Sequence, residues 1–250
     1  DTGTDPTKKD TDQDGQSDGI EISRRTDPND PLNFARGTRN DFDGDARSDI
    51  GVYHPPSGTW YIRRTTRGFY QVQFGYAEAR PVAGDFDGDG VSDLALYDHR
   101  YGHWHMWRSK SGYRLTQFGF PGTIPVAADY DGDKLTDIGV YYPPSGTWSL
   151  FLSQKGFMTK QFGFGGTVPV PADYDGDGLT DLAVYYPTTR QWYIFGSSSG
   201  FRTFVLTNVN GIPVPWDYGA GKAFPAIYSS NPPRWHFANL SNVVQSASGY

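Results

Sequence analysis

Short apolar stretches recur along most of this chain, each bounded by Gly, Pro, Asp or Ser, and no helical segment lies between them. Four stand in succession as PVAGD (81–85), DLALYD (93–98), HWHMWR (103–108) and YRLTQFG (113–119). Each has the length and residue types of a β-strand, and in HWHMWR the two-residue alternation sets His103 and His105 on the face opposite Trp104.

The same order returns at a constant step of 44 residues. DFDGDARSD begins at Asp41, DFDGDGVSD at Asp85, DYDGDKLTD at Asp129 and DYDGDGLTD at Asp173. In register with them run Tyr53, Tyr97, Tyr141 and Tyr185; Trp60, Trp104, Trp148 and Trp192; Phe74, Phe118 and Phe162; and Pro81, Pro125, Pro169 and Pro213. A fifth copy starts at Asp217 and reaches Tyr228 and Trp235 one residue early, so a deletion lies inside its loop. Four strands per 44 residues, five times over, is the period of a β-propeller blade. The pattern predicts an all-β, five-bladed propeller over residues 36–250, its small-residue first strands (Ala83, Gly84, Ala127, Ala128, Ala172) crowding an axis. Residues 1–35 are polar, proline-punctuated and without apolar periodicity, which predicts a linker or stalk.

Of the 28 acidic residues only Glu21 and Glu78 are glutamate, and 20 of the 26 aspartates lie in five loops. The net charge of −6 is therefore the composition of metal sites, and it argues against a nucleic-acid partner. The absence of cysteine excludes a disulfide scaffold and thiolate zinc chemistry. No apolar run approaches the ~20 residues of a membrane span, so membrane insertion is not expected. The start, DTGTDPTKKD, reads as a mature or excised form.

Each repeated loop is D-x-D-G-D-x-x-x-D. Carboxylates at positions 1, 3, 5 and 9 converge if the backbone winds tightly, and four of them facing one another cannot all stay ionised cheaply. A hard divalent cation resolves the conflict, and calcium is the one that accepts many oxygens in flexible geometry.

Phe74-Gly75, Phe118-Gly119 and Phe162-Gly163, each followed by such a loop and a short apolar strand, resemble the FG-GAP (VCBS-type) repeat of integrin α-subunit propellers and many bacterial extracellular proteins. The resemblance covers about residues 36 to 250 and implies four bound calcium ions. The implied ligands are Asp41, Asp43, Asp45, Asp49 and the Arg47 carbonyl in the first loop, and Asp85, Asp87, Asp89, Asp93 and the Val91 carbonyl in the second. In the third they are Asp129, Asp131, Asp133, Asp137 and the Leu135 carbonyl; in the fourth, Asp173, Asp175, Asp177, Asp181 and the Leu179 carbonyl. The fifth loop, DYGAGKAF, keeps only Asp217 and is expected to be empty. The resemblance also implies a secreted or cell-surface, bacterial setting, within a larger extracellular protein.

DTDQDGQSDGIE, from Asp10 to Glu21, fits D-x-D-x-D-G-x5-E, with Asp10, Asp12, Asp14, the Gln16 carbonyl, Asp18 and Glu21 as calcium ligands. Without a preceding helical pattern it resembles a bacterial thrombospondin type-3-like repeat, a calcium-stiffened stalk carrying a fifth ion.

No Ser-His-Asp spacing, phosphate-binding glycine loop or HExxH helix is present. The acids outside the acidic loops of the propeller are chiefly Asp98 and Glu78, thin material for a glycosidase pair, so no enzyme activity is expected. His99, His103 and His105 could form a transition-metal site. In a four-stranded blade the acidic loops occupy one end and leave the other for recognition. There the residue after the recurrent tyrosine varies (His54, Asp98, Tyr142, Tyr186, Ser229), with Tyr76, Arg100, Arg190 and Arg234 nearby. Variable side chains on a rigid frame suit a binding surface for a glycan or an extracellular protein. The alternatives are aromatics that only seal neighbouring blades, a spacer domain without a ligand, and a polysaccharide-degrading enzyme.

Overall fold

The computed structural model describes residues 40–206, 210–215, 221–230, 233–238 and 244–248, together with Thr7. The stalk at 1–35, with its Asp10–Glu21 loop, lies outside these residues, as does Asp217. The strands fall into five antiparallel sheets, the blades of a β-propeller, with a single 3-10 turn at Pro55–Ser57 among the described residues.

The first sheet runs β1 (Ile50–His54), β2 (Thr59–Arg64), β3 (Gly68–Gln73), and has three strands among the described residues. The second runs β4 (Arg80–Gly84), β5 (Asp93–Asp98), β6 (His103–Arg108), β7 (Gly112–Gln117). The third runs β8 (Ile124–Pro125), β9 (Ile138–Tyr142), β10 (Thr147–Leu152), β11 (Gly156–Gln161), and the fourth β12 (Val168–Pro169), β13 (Leu182–Tyr186), β14 (Gln191–Gly196), β15 (Gly200–Val205). The fifth runs β16 (Ile212–Pro213), β17 (Ala226–Ser230), β18 (Pro233–Ala238), β19 (Val244–Ser248). Two compact units contain them: Asp1–Leu96 with His105–Arg114, and Tyr97–Trp104 with Leu115–Tyr250.

The predicted strands of the second repeat match β4 to β7 within a residue or two. In the third and fourth sheets the first strand shrinks to two residues, and pairing resumes only at the bridges Ala128↔Asp137 and Ala172↔Asp181.

The recurrent residues form one packing unit per blade. Tyr and Trp sit opposite each other in neighbouring strands (Tyr141↔Trp148, Tyr185↔Trp192), ring centroids 5.1 Å apart in both sheets. The indole N–H of Trp60, Trp104 and Trp148 donates to the carbonyl of Phe74, Phe118 and Phe162 at 3.0, 2.8 and 2.8 Å. The glycine after each phenylalanine lies against the tyrosine hydroxyl: a Cβ on Gly119 would stand closer than 3.0 Å to Tyr97 Oη, and φ there is +129°. That contact is why Phe-Gly keeps the step of the tyrosines and tryptophans.

Alternation then builds cores between consecutive sheets. Trp60 and Ile62 of the first sheet pack with Leu94 and Leu96 of the second; Trp148 and Leu150 of the third pack with Leu182 and Val184 of the fourth. Burying such side chains stabilises each contact by about 1.5–3 kcal/mol per residue. In β1 the counterparts Ile50 and Val52 remain 68% and 57% exposed.

Candidate metal centres at the acidic loops

In the second, third and fourth repeats the acidic loop joins the first strand of the sheet to its second and the turn between the third and fourth strands folds against it; in the first repeat the loop leads into β1 and the β2–β3 turn folds against it. Every carboxylate has a fixed task, repeated four times. The position 1 aspartate (Asp41, Asp85, Asp129, Asp173) accepts from the N–H of the position 4 glycine at 2.6–2.7 Å through Oδ1. Its Oδ2 accepts from the N–H of position 6 at 2.7–3.0 Å, which winds the loop around the side chain. Position 9 (Asp49, Asp93, Asp137, Asp181) accepts from the position 2 N–H at 2.8–2.9 Å, closing the loop.

The outer turn is gripped as well. Oδ2 of the position 3 aspartate accepts two successive N–H groups, from Thr66 and Arg67 on Asp43 and from Ser198 and Ser199 on Asp175, with Asp87 and Asp131 held alike. Position 5 (Asp45, Asp89, Asp133, Asp177) accepts the N–H of position 7, that is of Arg47, Val91, Leu135 and Leu179, at 2.8–2.9 Å. Its other oxygen accepts a hydroxyl from Thr65, Ser109, Ser153 or Ser197. The backbone N–H of those same four residues donates to position 9 at 2.6–2.7 Å.

Sequence reasoning missed Thr65, Ser109, Ser153 and Ser197, although they too keep the 44-residue step. The step was their only signal, because nothing in a lone Ser or Thr indicates that it bridges two aspartates 16 and 20 residues earlier.

After these bonds one oxygen per loop has no partner. Oδ1 of Asp43, Asp87, Asp131 and Asp175 is buried and accepts nothing. A buried carboxylate oxygen without a donor is costly, and its recurrence in all four loops suits a site that can take a cation. Around it, ligand atoms of Asp41, Asp43 and Asp45, of Asp85, Asp87 and Asp93, of Asp129, Asp131 and Asp137, and of Asp173, Asp175 and Asp181 lie within 4.8 Å of one another. The donors are all hard oxygen, so the residues fit a calcium-type cation.

The electrostatics agree. Burial pushes the carboxyls of Asp93 and Asp137 up to about 6, with Asp87 and Asp85, or Asp131 and Asp129, adding repulsion against the loop N–H bonds that favour the charge. Burial also raises Asp41, Asp85, Asp129 and Asp181. Burial opposes the charge on Asp175 too, but the N–H and hydroxyl bonds from Ser199 and Ser198 outweigh it and hold that carboxyl down at about 2. Asp43 is lowered in the same way, against burial, by Thr66 and Arg67. Both of these aspartates also carry a buried free oxygen.

At the other end of the sheets, Phe120 pairs with Tyr142 at 5.0 Å and Phe164 with Tyr186 at 4.9 Å, leaving Phe120 and Phe164 46% and 40% exposed. Each pair joins the segment leaving one sheet to the second strand of the next, so these rings both seal and face solvent. Asp98 is buried and holds Arg100 through two bonds of 3.0 and 2.9 Å. Tyr76 accepts from and donates to the Tyr53 hydroxyl through its backbone, His54 Nδ1 meets Ser57 Oγ at 2.8 Å, and Arg234 is exposed on β18 opposite Ser229. His105 meets Tyr113 Oη at 2.9 Å and His103 stacks on Tyr101, so both rings face aromatic partners. Among the described residues the clusters of three or more potential ligands are the four aspartate groups.

An FG-GAP repeat model matches residues 164–199. No curated protein matches the sequence. Among solved structures the chain is similar to a streptogramin B lyase (TM-score 0.55, 9% identity, 80% of this chain and 65% of that one). It is equally similar to virginiamycin B lyase from Staphylococcus aureus (TM-score 0.55, 8% identity, 81% and 67%). BBS1N, solved in complex with ARL6DN, follows (TM-score 0.52, 12% identity, 84% and 66%). The chain thus spans about two thirds of the length of these neighbours, and at such identity the likeness establishes the propeller fold alone. Fold and repeat together define a binding or structural module.

Proposed function

We propose that this chain is a calcium-stabilised binding module of an extracellular, bacterial protein, recognising a glycan or a surface ligand at the sheet ends opposite its acidic loops. The observation that carries the calcium part is the buried, partnerless Oδ1 repeated at Asp43, Asp87, Asp131 and Asp175. Calcium would be held in each loop by the aspartates at positions 1, 3, 5 and 9 and the position 7 carbonyl. A fifth ion is assigned to Asp10–Glu21 on sequence alone. Loops of this type suit a compartment where calcium is abundant, since extracellular modules bind it with Kd of roughly 10⁻⁴–10⁻³ M.

The part-exposed aromatic pairs Phe120–Tyr142 and Phe164–Tyr186 support the recognition part, because flat rings at a rigid edge stack on sugar rings. Binding is favoured over catalysis by Asp98, whose carboxylate is committed to Arg100 and is a poor proton donor to a substrate. The lyases among the neighbours share the fold and lend no residue to this reading.

A glycan array probed with the calcium-loaded protein, and repeated in EDTA, tests recognition. Calcium-dependent capture of one sugar class is expected, with Tyr142→Ala and Tyr186→Ala each losing it by about tenfold or more while the protein stays folded. A blank array favours the spacer reading, in which the module only sets distance within a larger protein.

Ser153→Ala tests the hydroxyl that the sequence did not reveal. The variant keeps a backbone N–H on Asp137 but strips the hydroxyl from Asp133. A lost bond to a charged group at an exposed position is worth about 1 kcal/mol, so calcium affinity at the third loop should fall about fivefold. Unchanged affinity by calorimetry would remove Ser153 from the site.

A further inference from the structure

We propose that the acidic loops bind calcium cooperatively in two pairs, because a single peptide group joins the second loop to the first and another joins the fourth to the third. The inference rests on the calcium reading above and adds a coupling between sites.

The N–H of Thr180, position 8 of the fourth loop, donates to the carbonyl of Asp129, position 1 of the third, at 2.8 Å. The N–H of Ser92 in the second loop donates to the carbonyl of Asp41 in the first at 2.6 Å. Each donor belongs to the peptide whose carbonyl is position 7 of its own loop, Leu179 or Val91. In a planar trans peptide the C=O and N–H point to opposite sides. One peptide group therefore offers its oxygen to its own loop and its hydrogen to a ligand residue of the preceding loop.

A cation drawing on the Leu179 carbonyl polarises that peptide, strengthens the Thr180 N–H bond and fixes the backbone of Asp129. The residue after Thr180 is Asp181, itself a position 9 ligand, so filling the fourth loop holds the donor from both sides. Side chains reinforce the joint. Leu179 closes over Gly132, where an added Cβ would lie 2.7 Å from Leu179 Cδ2, and Val91 covers Gly44 at 3.2 Å in the same sense.

The fifth repeat makes the same bond without the carboxylates. Ala223 N–H donates to the Asp173 carbonyl at 2.5 Å, although that loop keeps Asp217 as its only acid. The fourth loop is thus braced from downstream whether or not calcium is present, and is the site from which occupancy spreads to the third. Linkage makes the effect reciprocal, and couplings of this kind change affinity by roughly 5- to 150-fold.

The test is a calcium titration of the whole chain followed by ¹H–¹⁵N NMR at the amides of Gly44, Gly132 and Gly176, which report the first, third and fourth loops. Asp175→Asn replaces the fourth-loop carboxylate whose Oδ1 is buried without a donor. The third loop should then weaken about fivefold or more, while the first, which is not its neighbour, is unchanged. An unchanged third loop, or equal weakening of all three, overturns the coupling. If Asp175→Asn does not fold, Leu179→Ala keeps every oxygen of the fourth loop and opens only its contact with Gly132. In that variant the third and fourth loops should titrate in separate steps where the wild type fills them together, and an unsplit titration overturns the coupling. Wild-type amides that do not move with calcium at all would sink the calcium reading itself, a result distinct from independent binding.

Discussion

Excess EDTA should lower the melting temperature of the calcium-treated protein by about 20 °C or more, in a thermal scan read by circular dichroism. One site filled at about a hundred times its Kd adds ~2.7 kcal/mol, and four such sites ~11 kcal/mol. That is comparable with the ~5–15 kcal/mol that separates folded from unfolded in an ordinary domain. Without a cation, each of the four loops holds oxygens of three aspartates within 4.8 Å of one another, with a buried oxygen in each that no donor reaches. The raised carboxyls of Asp93 and Asp137, at about 6, record the same conflict of burial and like charge. Because those carboxylates also grip the turn between the third and fourth strands, the outer hairpin of each blade loosens first. Hydrogen exchange in EDTA should therefore rise earliest at Ser109–Ser111 and Ser153–Lys155. A melt indifferent to EDTA would remove calcium from the account of stability.

Gly146→Arg costs about 3 kcal/mol, and the converse change, Arg190→Gly, stabilises the protein by about 1–2 kcal/mol. The glycine two residues before the recurrent tryptophan has φ of +61° at Gly58, +72° at Gly102 and +68° at Gly146, and a Cβ there would stand closer than 3.0 Å to the backbone of the Phe-Gly segment. The fourth blade carries Arg190 at this place, still at φ +60°. In that blade the bond from the following strand is 3.3 Å, from Leu206 N–H to the Arg190 carbonyl, against 2.8–2.9 Å in the first three. The indole N–H of Trp192 is buried without a partner, whereas those of Trp60, Trp104 and Trp148 reach a phenylalanine carbonyl. Arginine gains only an exposed bond to Asn210, at 2.9 Å. Glycine at 190 relieves the left-handed strain and lets the strand close on Trp192, less roughly 0.5–1 kcal/mol for its greater freedom when unfolded. Arg190→Ala separates the causes, since it loses the Asn210 bond, keeps the strain and should show no gain. A melting temperature unmoved by Arg190→Gly would mean that the orphaned indole costs nothing.

The step of 44, the Tyr, Trp and Phe-Gly register and the D-x-D-G-D-x-x-x-D loops were legible from residue types alone. Period and alternation are one-dimensional properties, and a repeat displays them five times, so strand order and the loop aspartates followed without coordinates. The mutual spacing of the loops did not follow. That Thr65, Ser109, Ser153 and Ser197 reach across 20 residues to an aspartate depends on how the outer turn folds back onto the loop. The choice between recognition and sealing for Tyr142 and Tyr186 was likewise open in the sequence, and the paired, part-exposed rings of Phe120 and Phe164 serve both.

What the sequence determined by itself was thus the all-β class, the blade count and the four acidic loops, because each is written in residue type and spacing. Tertiary structure alone decided which carboxylate oxygen each donor takes, and so which one is left for a cation. It also decided that one peptide spans two loops, and that the blade carrying Arg190 leaves the indole of Trp192 without a partner. Those facts depend on distances between residues from separate strands and separate blades, which only the packing of sheet upon sheet brings within reach.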